Sequence, residues 1–300
     1  MIEFHAPELA DKSRVDAAML AGDCRSDDYC FGNLFIWRFY YKTRIAFWDG
    51  MTLISFEKDL QGRVRYLFPM GSGDVQGAIR ALSREPDACR PFTLAGVTEE
   101  MKKRLQELFP GKFTFELNRD FSDYIYSVED LVNLAGRKYH GKRNHITRFK
   151  RTDWRIEPIT PANLDVCDRL NEEWCAMNHY EETPSLVEEH KAVKEAFSHF
   201  EQLGFSGGLL RQDGRPVAYT FGEPICRDTF GIHVEKAFSD VEGAYPAINR
   251  EFLAMSCTGY AYVNREEDVG DEGLRKAKLS YHPVLLLDKY TATLAEGETL

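Results

Sequence analysis

Short runs that alternate apolar and polar residues recur along the chain, and turn residues bound each of them. Asp49-Gly50 and Asp213-Gly214 each stand between two such runs, which is the pattern of a β-hairpin closed by a tight turn. The predicted hairpins pair Arg44–Trp48 with Met51–Glu57 and Phe205–Arg211 with Pro216–Phe221.

Apolar residues spaced three and four apart predict helices between the strands. Capping residues or prolines precede these stripes, and glycines or prolines follow several of them. The predicted helices run over 74–83, 98–108, 160–177, 185–200, 246–255 and 273–280. A turn at Gln61-Gly62 precedes the first of the remaining strands, which are predicted at 64–68, 91–94, 112–117, 124–126, 229–235, 260–263 and 284–287.

Both halves of the chain repeat one order of elements: three strands, a helix, a strand, a helix and a strand. The order predicts an α/β fold with mixed sheets, and 300 residues are enough for two domains with substantial cores. We predict an N-terminal domain over 1–127 and a C-terminal domain over 128–300. Ser127-x-x-Asp130 forms a capping box that would start a basic linker helix over 128–151.

The composition excludes several classes of protein. No apolar run approaches the roughly 20 residues that a transmembrane helix needs, and the N-terminus lacks the pattern of a signal peptide. The seven cysteines form no Cys-x-x-Cys pair, and the eight histidines show no metal-binding spacing. We therefore predict reduced thiols, a cytoplasmic location, no structural metal and no bound cofactor.

The charge is distributed unevenly along the chain. The net charge is −10, yet the 16 residues 136–151 contain seven lysines and arginines and no acid. A local basic element on an acidic protein can bind phosphate, so these cations are candidates for holding the phosphate groups of a ligand. The candidates are Lys138, Lys142, Arg143 and Arg148. The alternative is a solvated surface helix without a ligand.

A second cationic motif lies near the C-terminus, where acidic residues and two glycines lead into Gly-Leu-Arg-x-x-Lys. Arg275 and Lys278 are three residues apart, so they share one face of a predicted helix. The acids before them fall where a helix N-terminus favours negative charge. A capped surface helix with solvated cations is the alternative interpretation.

The order of elements resembles the GNAT acyltransferase fold, and two such halves resemble the tandem-GNAT aminoacyl-tRNA-dependent transferases. Gly273-Leu274-Arg275-x-x-Lys278-x-x-Tyr281-x-Pro283, followed by Lys289-Tyr290, resembles the motif of the phosphatidylglycerol lysyltransferase C-terminal domain family. The tryptophan that this family carries between the proline and the basic-Tyr pair is absent, and Val284–Asp288 stands in its place.

The resemblance implies transfer of an aminoacyl group from tRNA to an amine or hydroxyl of a lipid, peptide or small molecule. The basic segment 136–151 would then hold the tRNA backbone. Lys278 would contact the developing oxyanion, and Arg275 would bind a phosphate or polarise the ester. Asp268, grouped with the substrate-binding residues, would orient the Arg275 helix. Tyr281 would donate a proton to the leaving hydroxyl, or else be a partly buried aromatic residue.

His233 and Glu235 are candidates for the general base. They alternate along the strand predicted at 229–235, so both are expected on one face of the sheet. The alternative is a structural histidine whose ring pairs with Glu235.

Two other functions stay open. A coenzyme-A-dependent N-acyltransferase needs a glycine-rich pyrophosphate loop, but the matching stretch Asp240–Tyr245 keeps one glycine and adds an acid. Gly71-Ser72-Gly73 stands at the matching place in the first half and is more typical of a turn. The third possibility is a non-catalytic binding module, since fold alone does not determine function.

Overall fold

The computed structural model describes residues 2–57 and 64–300. The expected α/β fold with two mixed sheets is confirmed. Both predicted hairpins form, with β1 and β2 at Arg44–Trp48 and Met51–Glu57, while the turn predicted at Gln61-Gly62 lies outside the described residues.

Within the described residues, the strands form two seven-stranded sheets, and a parallel pair occurs in each of them. The first sheet has the order β1-β2-β3-β5-β14-β6, with β4 beside β2 and the parallel pair at β3 and β5. Its remaining strands are β3 Val64–Leu67, β4 Met70–Gly71, β5 Thr93–Val97, β6 Phe113–Leu117 and β14 Tyr290–Leu294.

The second sheet has the order β13-β7-β12-β11-β10-β9-β8, with its parallel pair at β11 and β12. Its strands are β7 Asp123–Ser127, β8 Trp154–Pro158, β9 Ser206–Gln212, β10 Arg215–Pro224, β11 Thr229–Ala237, β12 Tyr262–Asn264 and β13 Leu285–Leu287. The order of elements that the sequence predicts for each half does not account for every strand of each sheet. In each sheet the position next to the parallel pair is filled by a strand from the distant part of the sequence, β14 in the first sheet and β7 in the second.

The α-helices begin where the sequence supplies caps. The Thr98 and Ser127 side chains accept hydrogen bonds from the N–H groups of Met101 and Asp130, as capping residues do. The helices are α1 Lys12–Gly22, α2 Phe31–Ile36, α3 Val75–Ser83, α4 Glu99–Leu108, α5 Val128–Asn133, α6 His140–Phe149, α7 Leu164–Met177, α8 Pro184–Ser198, α9 Ala244–Ser256 and α10 Glu272–Leu279. The sequence pattern had not indicated α1, α2, β8 or β14.

The chain divides into two compact units. The first comprises residues 1–124, 267–275 and 286–300, and the second comprises 125–266 and 276–285. The domain boundary predicted between residues 127 and 128 stays a prediction. None of the helices in the described part of the chain is both long and apolar enough to cross a membrane.

Helices cover both faces of the second sheet. Tyr219 pairs with Lys236 and Thr220 with Glu235, so these neighbours alternate between the two faces. The Lys236 Nζ reaches Glu189 on α8, at 2.8 Å, whereas Glu235 accepts a hydrogen bond from Asn249 on α9. Accordingly, α8 and α9 lie on opposite faces of the sheet.

Candidate functional site

The parallel pairing of β11 with β12 in the second sheet is short. β11 pairs with β12 only from Thr229 to Gly231, opposite Tyr262 to Asn264, but β11 continues to Ala237. β12 ends at Asn264, in the last parallel pair, so the part of β11 from Ile232 to Ala237 has no pairing with β12. Glu235 lies on the continuing part of β11, and Arg265 is the first residue after β12.

The Arg265 guanidinium is held by a carboxylate on the part of β11 that continues beyond β12. Its Nη2 donates to Glu235 Oε1 at 2.8 Å, and the Asn249 Nδ2 donates to Glu235 Oε2 at 3.0 Å. The Arg265 and Glu235 side chains are only 12% and 10% exposed. Burial opposes the charge of Arg265, but Glu235, Tyr126 and Tyr281 together outweigh burial and raise the pKa of Arg265.

One donor atom of Arg265 is not used. Its Nη1 is buried and has no hydrogen-bond partner among the residues that the structure describes. An unsatisfied buried donor costs about 1–3 kcal/mol, and native proteins contain few of them. This N–H is therefore the strongest candidate in the second unit for binding an oxygen atom of a ligand.

Tyr281 and Lys142 complete the group. The Arg265 guanidinium lies 4.9 Å from the centre of the Tyr281 ring, and the Lys142 Nζ lies 3.7 Å from the same ring centre. Burial, and then the positive charge of Arg265, lower the pKa of Lys142 to about 8. Burial raises the pKa of Tyr281. We call Arg265, Glu235, Asn249, Tyr281 and Lys142 the Arg265 cluster.

The Arg265 cluster combines a fixed hydrogen-bond donor with a titratable amine. Such a donor can stabilise negative charge on a reacting oxygen, and its value is greatest where water is excluded. An amine with a pKa near 8 can accept or release a proton close to neutral pH. These are the two chemical roles that acyl transfer requires.

Arg275 has a different environment, in the first unit. Its Nε and Nη2 donate to the two oxygens of Asp268 at 2.9 and 2.7 Å, and its Nη2 also reaches Asp120 Oδ1 at 2.7 Å. Asp268 is fully buried and also accepts hydrogen bonds from the Tyr124 hydroxyl, at 2.5 Å, and the Gly270 N–H, at 3.0 Å. We call Arg275, Asp268, Asp120 and Tyr124 the Arg275 cluster.

Electrostatics confirm how tightly the Arg275 cluster is paired. Hydrogen bonding to Arg275 holds the pKa of Asp268 well below its usual range, and Asp268 in turn raises the pKa of Arg275. The positive charge of Arg275 is thus neutralised by its own neighbours. These contacts favour an anchoring role for Arg275 and Asp268, whose roles in catalysis and substrate binding stay predictions.

Lys278 supports the backbone near Arg265. Its Nζ donates to the main-chain oxygen of Arg265 at 2.7 Å, and its own carbonyl accepts from the Tyr126 hydroxyl at 2.9 Å. The two cations of the Gly-Leu-Arg-x-x-Lys motif therefore bind different groups. The predicted oxyanion contact of Lys278 stays a prediction.

His233 does not lie where strict alternation placed it. Phe221 pairs with Val234 and Gly222 with Ile232, so His233 is the extra residue of a β-bulge. Its ring lies 5.6 Å from Phe205, which packs against Phe221 on the α8 face, whereas Glu235 points to α9. The predictions that His233 shares a face with Glu235, or pairs with it, are therefore wrong, because the bulge shifts the alternation by one residue.

The partners of His233 are two other carboxylates. Its Nδ1 lies 2.8 Å from Glu266 Oε1, and its Nε2 lies 3.2 Å from Glu223 Oε1. The side chain is 1% exposed. With both ring nitrogens engaged, the contacts favour a structural histidine, and its role as a general base stays a prediction.

The cations of the basic segment 136–151 make several different kinds of contact. Lys138 pairs with Asp130 at 3.2 Å, and Arg148 pairs with Glu242 at 2.6 Å. Arg143 donates to the main-chain oxygens of Leu134 and Gly136, which closes the turn before α6. Arg137 and Arg151 are exposed and have no ion pair within the described residues. Lys142 belongs to the Arg265 cluster.

The Lys289 of the basic-Tyr motif is a buried anchor in the first unit. Its Nζ lies 2.7 Å from Asp123, 3.0 Å from Asp28 and 3.1 Å from Asp27. Burial opposes its charge, but the carboxylates raise the pKa of Lys289 well above its usual value. Oxygens of Asp27, Asp123 and Glu267 lie within 4.8 Å of one another, at a spacing that suits a metal ion. The Lys289 ammonium already supplies positive charge to this group, and the absence of a metal stays a prediction.

Sequence reasoning missed Arg265 and Asn249. Neither residue forms a recognisable sequence motif with its partner, because Glu235, Asn249 and Arg265 come together only when the sheet folds. One signal was present: Arg265 is a cation that follows a buried strand directly and precedes a run of acids.

Comparison with known proteins places the chain among relatives of similar architecture. The family described as phosphatidylglycerol lysyltransferase, C-terminal, matches residues 23–293. The crystal structure of a conserved protein of unknown function from Bacteroides thetaiotaomicron is 41% identical, covers 98% of this chain and 100% of its own, and superposes with a TM-score of 0.92.

Two further relatives are more distant. The C-terminal domain of a putative lysylphosphatidylglycerol synthetase from Agrobacterium fabrum is 14% identical, with a TM-score of 0.67 over 95% of this chain and 92% of its own. That likeness concerns the fold alone. An uncharacterised protein from Mycoplasmoides gallisepticum is 23% identical over 61% of this chain, and the match spans 60% of that relative's length.

Proposed function

Because the chain belongs to the family of the phosphatidylglycerol lysyltransferase C-terminal domain, we propose that it transfers an aminoacyl group from tRNA to an amine or hydroxyl acceptor. The observation that carries this proposal is the buried Arg265 Nη1, which has no partner among the described residues and belongs to the first residue after β12. An oxyanion needs such a donor, already in place before the reaction starts.

Arg265 would act on the carbonyl oxygen of the aminoacyl ester. The acceptor nitrogen or oxygen attacks the ester carbon and forms a new bond, and negative charge develops on the carbonyl oxygen. The Arg265 Nη1–H donates to that oxygen, while Glu235 and Asn249 keep the guanidinium plane fixed. The bond to the tRNA ribose oxygen then breaks, and the proton lost by the acceptor passes to that oxygen.

Lys142 would carry the proton. With its pKa lowered to about 8, a useful fraction of Lys142 is neutral near physiological pH and can take a proton from the acceptor. The Tyr281 ring lies close to both Lys142 and Arg265. Because burial raises the pKa of Tyr281, its hydroxyl is suited to donating a hydrogen bond while keeping its proton.

The basic segment 136–151 would bind the tRNA backbone. Arg137 and Arg151 are exposed at its two ends, and α6 between them carries Lys142 into the Arg265 cluster. Binding of the tRNA backbone by this segment would therefore take place on the same helix that carries Lys142, the proposed proton carrier.

Coenzyme A is a less suitable donor for this chain. A pyrophosphate would need the turn before α9, but a Cβ atom built on Gly243 would lie 2.5 Å from the main-chain oxygen of His145 on α6. The same turn carries Glu242, whose carboxylate pairs with Arg148. In the first half, a Cβ atom on Gly73 would lie 1.8 Å from the Asp49 carbonyl oxygen, so that glycine permits close backbone packing.

The test is binding and discharge of charged tRNA. A mixture of tRNAs carrying radiolabelled amino acids is incubated with the protein, and binding is measured by gel shift against uncharged tRNA and DNA of equal length. Label is then followed into vesicles of phosphatidylglycerol, a peptide amine and a soluble extract. We expect micromolar binding and label transfer that requires the protein.

Two results would overturn the proposal. One is the absence of tRNA binding at 10-fold higher protein concentration. The other is micromolar binding of acetyl-CoA in a calorimeter, which would favour coenzyme A as the donor.

A further inference from the structure

A turn rich in exposed aromatic side chains follows α2 in the first unit. Phe39, Tyr40 and Tyr41 are 70%, 51% and 44% exposed. Main-chain hydrogen bonds fix the turn: the Tyr41 N–H donates to the Trp37 oxygen at 3.1 Å, and the Thr43 N–H donates to the Arg38 oxygen at 3.0 Å. We call residues Trp37–Lys42 the aromatic turn. Its rings face the solvent because an ordered backbone holds them there.

Three rings of the aromatic turn, those of Trp37, Tyr40 and Tyr41, are in contact with one another. Tyr40 and Tyr41 are 4.7 Å apart between ring centres, and Trp37 lies 6.0 and 5.9 Å from them. The Arg38 guanidinium lies 4.2 Å from the Phe39 ring centre. Soluble proteins rarely expose clustered large aromatic residues unless the patch binds something.

The charge around the patch is positive. Residues 29–48 contain Arg38, Lys42 and Arg44 and no aspartate or glutamate, although the whole chain carries a net charge of −10. An aromatic surface whose own segment carries cations and no acid complements a surface that is apolar inside and anionic outside.

We propose that the aromatic turn docks on the surface of an anionic lipid bilayer. Tryptophan and tyrosine favour the headgroup region, where an amphipathic ring is partly wet. Phe39, the most exposed of the rings, would reach towards the acyl chains, and Arg38 and Lys42 would lie near lipid phosphates. This inference is independent of the proposed function, because a protein can dock on a bilayer whatever its acceptor.

Other occupants fit the patch less well. A two-fold contact between copies of the chain would bring Arg38 and Lys42 against the same residues of the second copy. Single-stranded RNA stacks its bases on open ring faces, but Arg38 covers one face of Phe39, and Tyr40 meets Tyr41 edge to face. An anionic bilayer carries charge opposite to that of Arg38 and Lys42, and it does not need to stack on the faces of the rings.

The test is sedimentation with lipid vesicles. We expect the protein to pellet with vesicles of phosphatidylglycerol and phosphatidylcholine, to stay in solution with phosphatidylcholine alone, and to be released by high salt. The triple substitution Phe39→Ser, Tyr40→Ser and Tyr41→Ser should lower the bound fraction at least fivefold. The matched control replaces Met177 and Val284, which are 47% and 50% exposed, with serine and should bind like the original.

A second measurement does not depend on the triple variant folding. Brominated phosphatidylglycerol should quench tryptophan fluorescence, and Trp37→Phe should remove most of that quenching. Equal sedimentation of the original and triple variants would overturn the inference. So would quenching that survives in Trp37→Phe, or a dimer or an RNA complex that the triple substitution abolishes while vesicle binding persists.

Discussion

The Arg265 and Arg275 clusters are built from the same parts and do different things. Each contains an arginine held by a buried carboxylate, and the two arginines are ten residues apart in the sequence. Arg275 spends its Nε and Nη2 on two carboxylates, and Asp268 receives further hydrogen bonds from a tyrosine and a backbone N–H. Arg265 has one carboxylate partner and a buried Nη1 with none among the described residues.

The difference separates anchoring from reactivity. An ion pair whose charges compensate each other lowers the energy of the folded chain, and the unused N–H groups of the 31% exposed Arg275 can be hydrated. A buried donor without a partner raises that energy, so it is retained where a substrate supplies the missing acceptor. By this argument, the motif arginine that stands out in the sequence holds the structure, and the inconspicuous Arg265 is better placed to act on a substrate.

The substitution Arg265→Lys should have the largest effect on transfer. A lysine keeps the positive charge beside Glu235 but lacks the planar fork that presents Nη1. Removal of one oxyanion donor costs about 100- to 1000-fold in rate, so kcat should fall by that amount. The measurement is single-turnover transfer from charged tRNA, with the melting temperature as a check on folding.

Arg275→Lys is the matched control. It makes the same chemical change in the Arg275 cluster and should alter the transfer rate by less than about threefold, since its guanidinium is already neutralised. If Arg275→Lys lost more activity than Arg265→Lys, the two assignments would have to be exchanged.

Lys142→Met should remove the proton carrier of the Arg265 cluster. Below its pKa of about 8 Lys142 is protonated and cannot accept a proton, so the transfer rate should rise with pH up to about pH 8 and then level off. Methionine should abolish this rise and lower the rate at pH 8 about 100-fold. The readout is the rate between pH 6 and pH 9, corrected for spontaneous ester hydrolysis.

The control for Lys142→Met is Lys191→Met, at a side chain that is 64% exposed on α8. Its rate should show the same inflection near pH 8 as the original protein. An inflection that persisted in Lys142→Met would belong to another group, and Lys142 would lose its proposed role.

Removing two exposed cations of the basic segment should weaken tRNA binding by a smaller factor. For the double substitution Arg137→Gln and Arg151→Gln we expect about a tenfold rise in KM and an unchanged kcat. The slope of the logarithm of the binding constant against the logarithm of the salt concentration should become shallower by the amount that about two phosphate contacts contribute. Arg104→Gln with Arg169→Gln removes two exposed arginines elsewhere and should change neither quantity. A loss of kcat at saturating tRNA would place these arginines in the chemistry instead.

The features of the fold that could be predicted from the sequence are those determined by residues close together in the chain. The Asp49-Gly50 and Asp213-Gly214 turns and the caps at Thr98 and Ser127 act over a few residues, and they form as predicted. The strand β14 was missed because it completes a sheet whose other strands lie more than 170 residues earlier, which no local pattern shows.

The candidate site shows the same limit. Lys142, Glu235 and Tyr281 are charged or aromatic residues within recognisable segments, so they could be named as candidates. Arg265 and Asn249 are single residues whose importance comes from Glu235, to which both donate across the fold. The orientation of His233 depends on a bulge, which is a property of strand pairing and not of composition.

The smallest effect on transfer is expected in the Arg275 cluster itself. Asp268→Asn keeps the shape of the side chain but removes the buried charge that holds Arg275, so the melting temperature should fall by about 5 °C. The pKa of Asp268 is lowered in the folded protein, so its stabilisation is complete above the unfolded pKa of about 4 and is lost as the pH falls below it. The difference in melting temperature between Asp268→Asn and the original protein should therefore shrink at low pH.

Comparing Asp120→Asn with Asp268→Asn distinguishes the contribution of the exposed partner of Arg275 from that of the buried partner. The Asp120 side chain is 52% exposed, so its loss should lower the melting temperature by about 1 °C or less. Transfer by both variants should stay within about threefold of the original when it is measured below their melting temperatures. A large loss of transfer in Asp268→Asn with an unchanged melting temperature would mean that the Arg275 cluster, although saturated, takes part in the reaction.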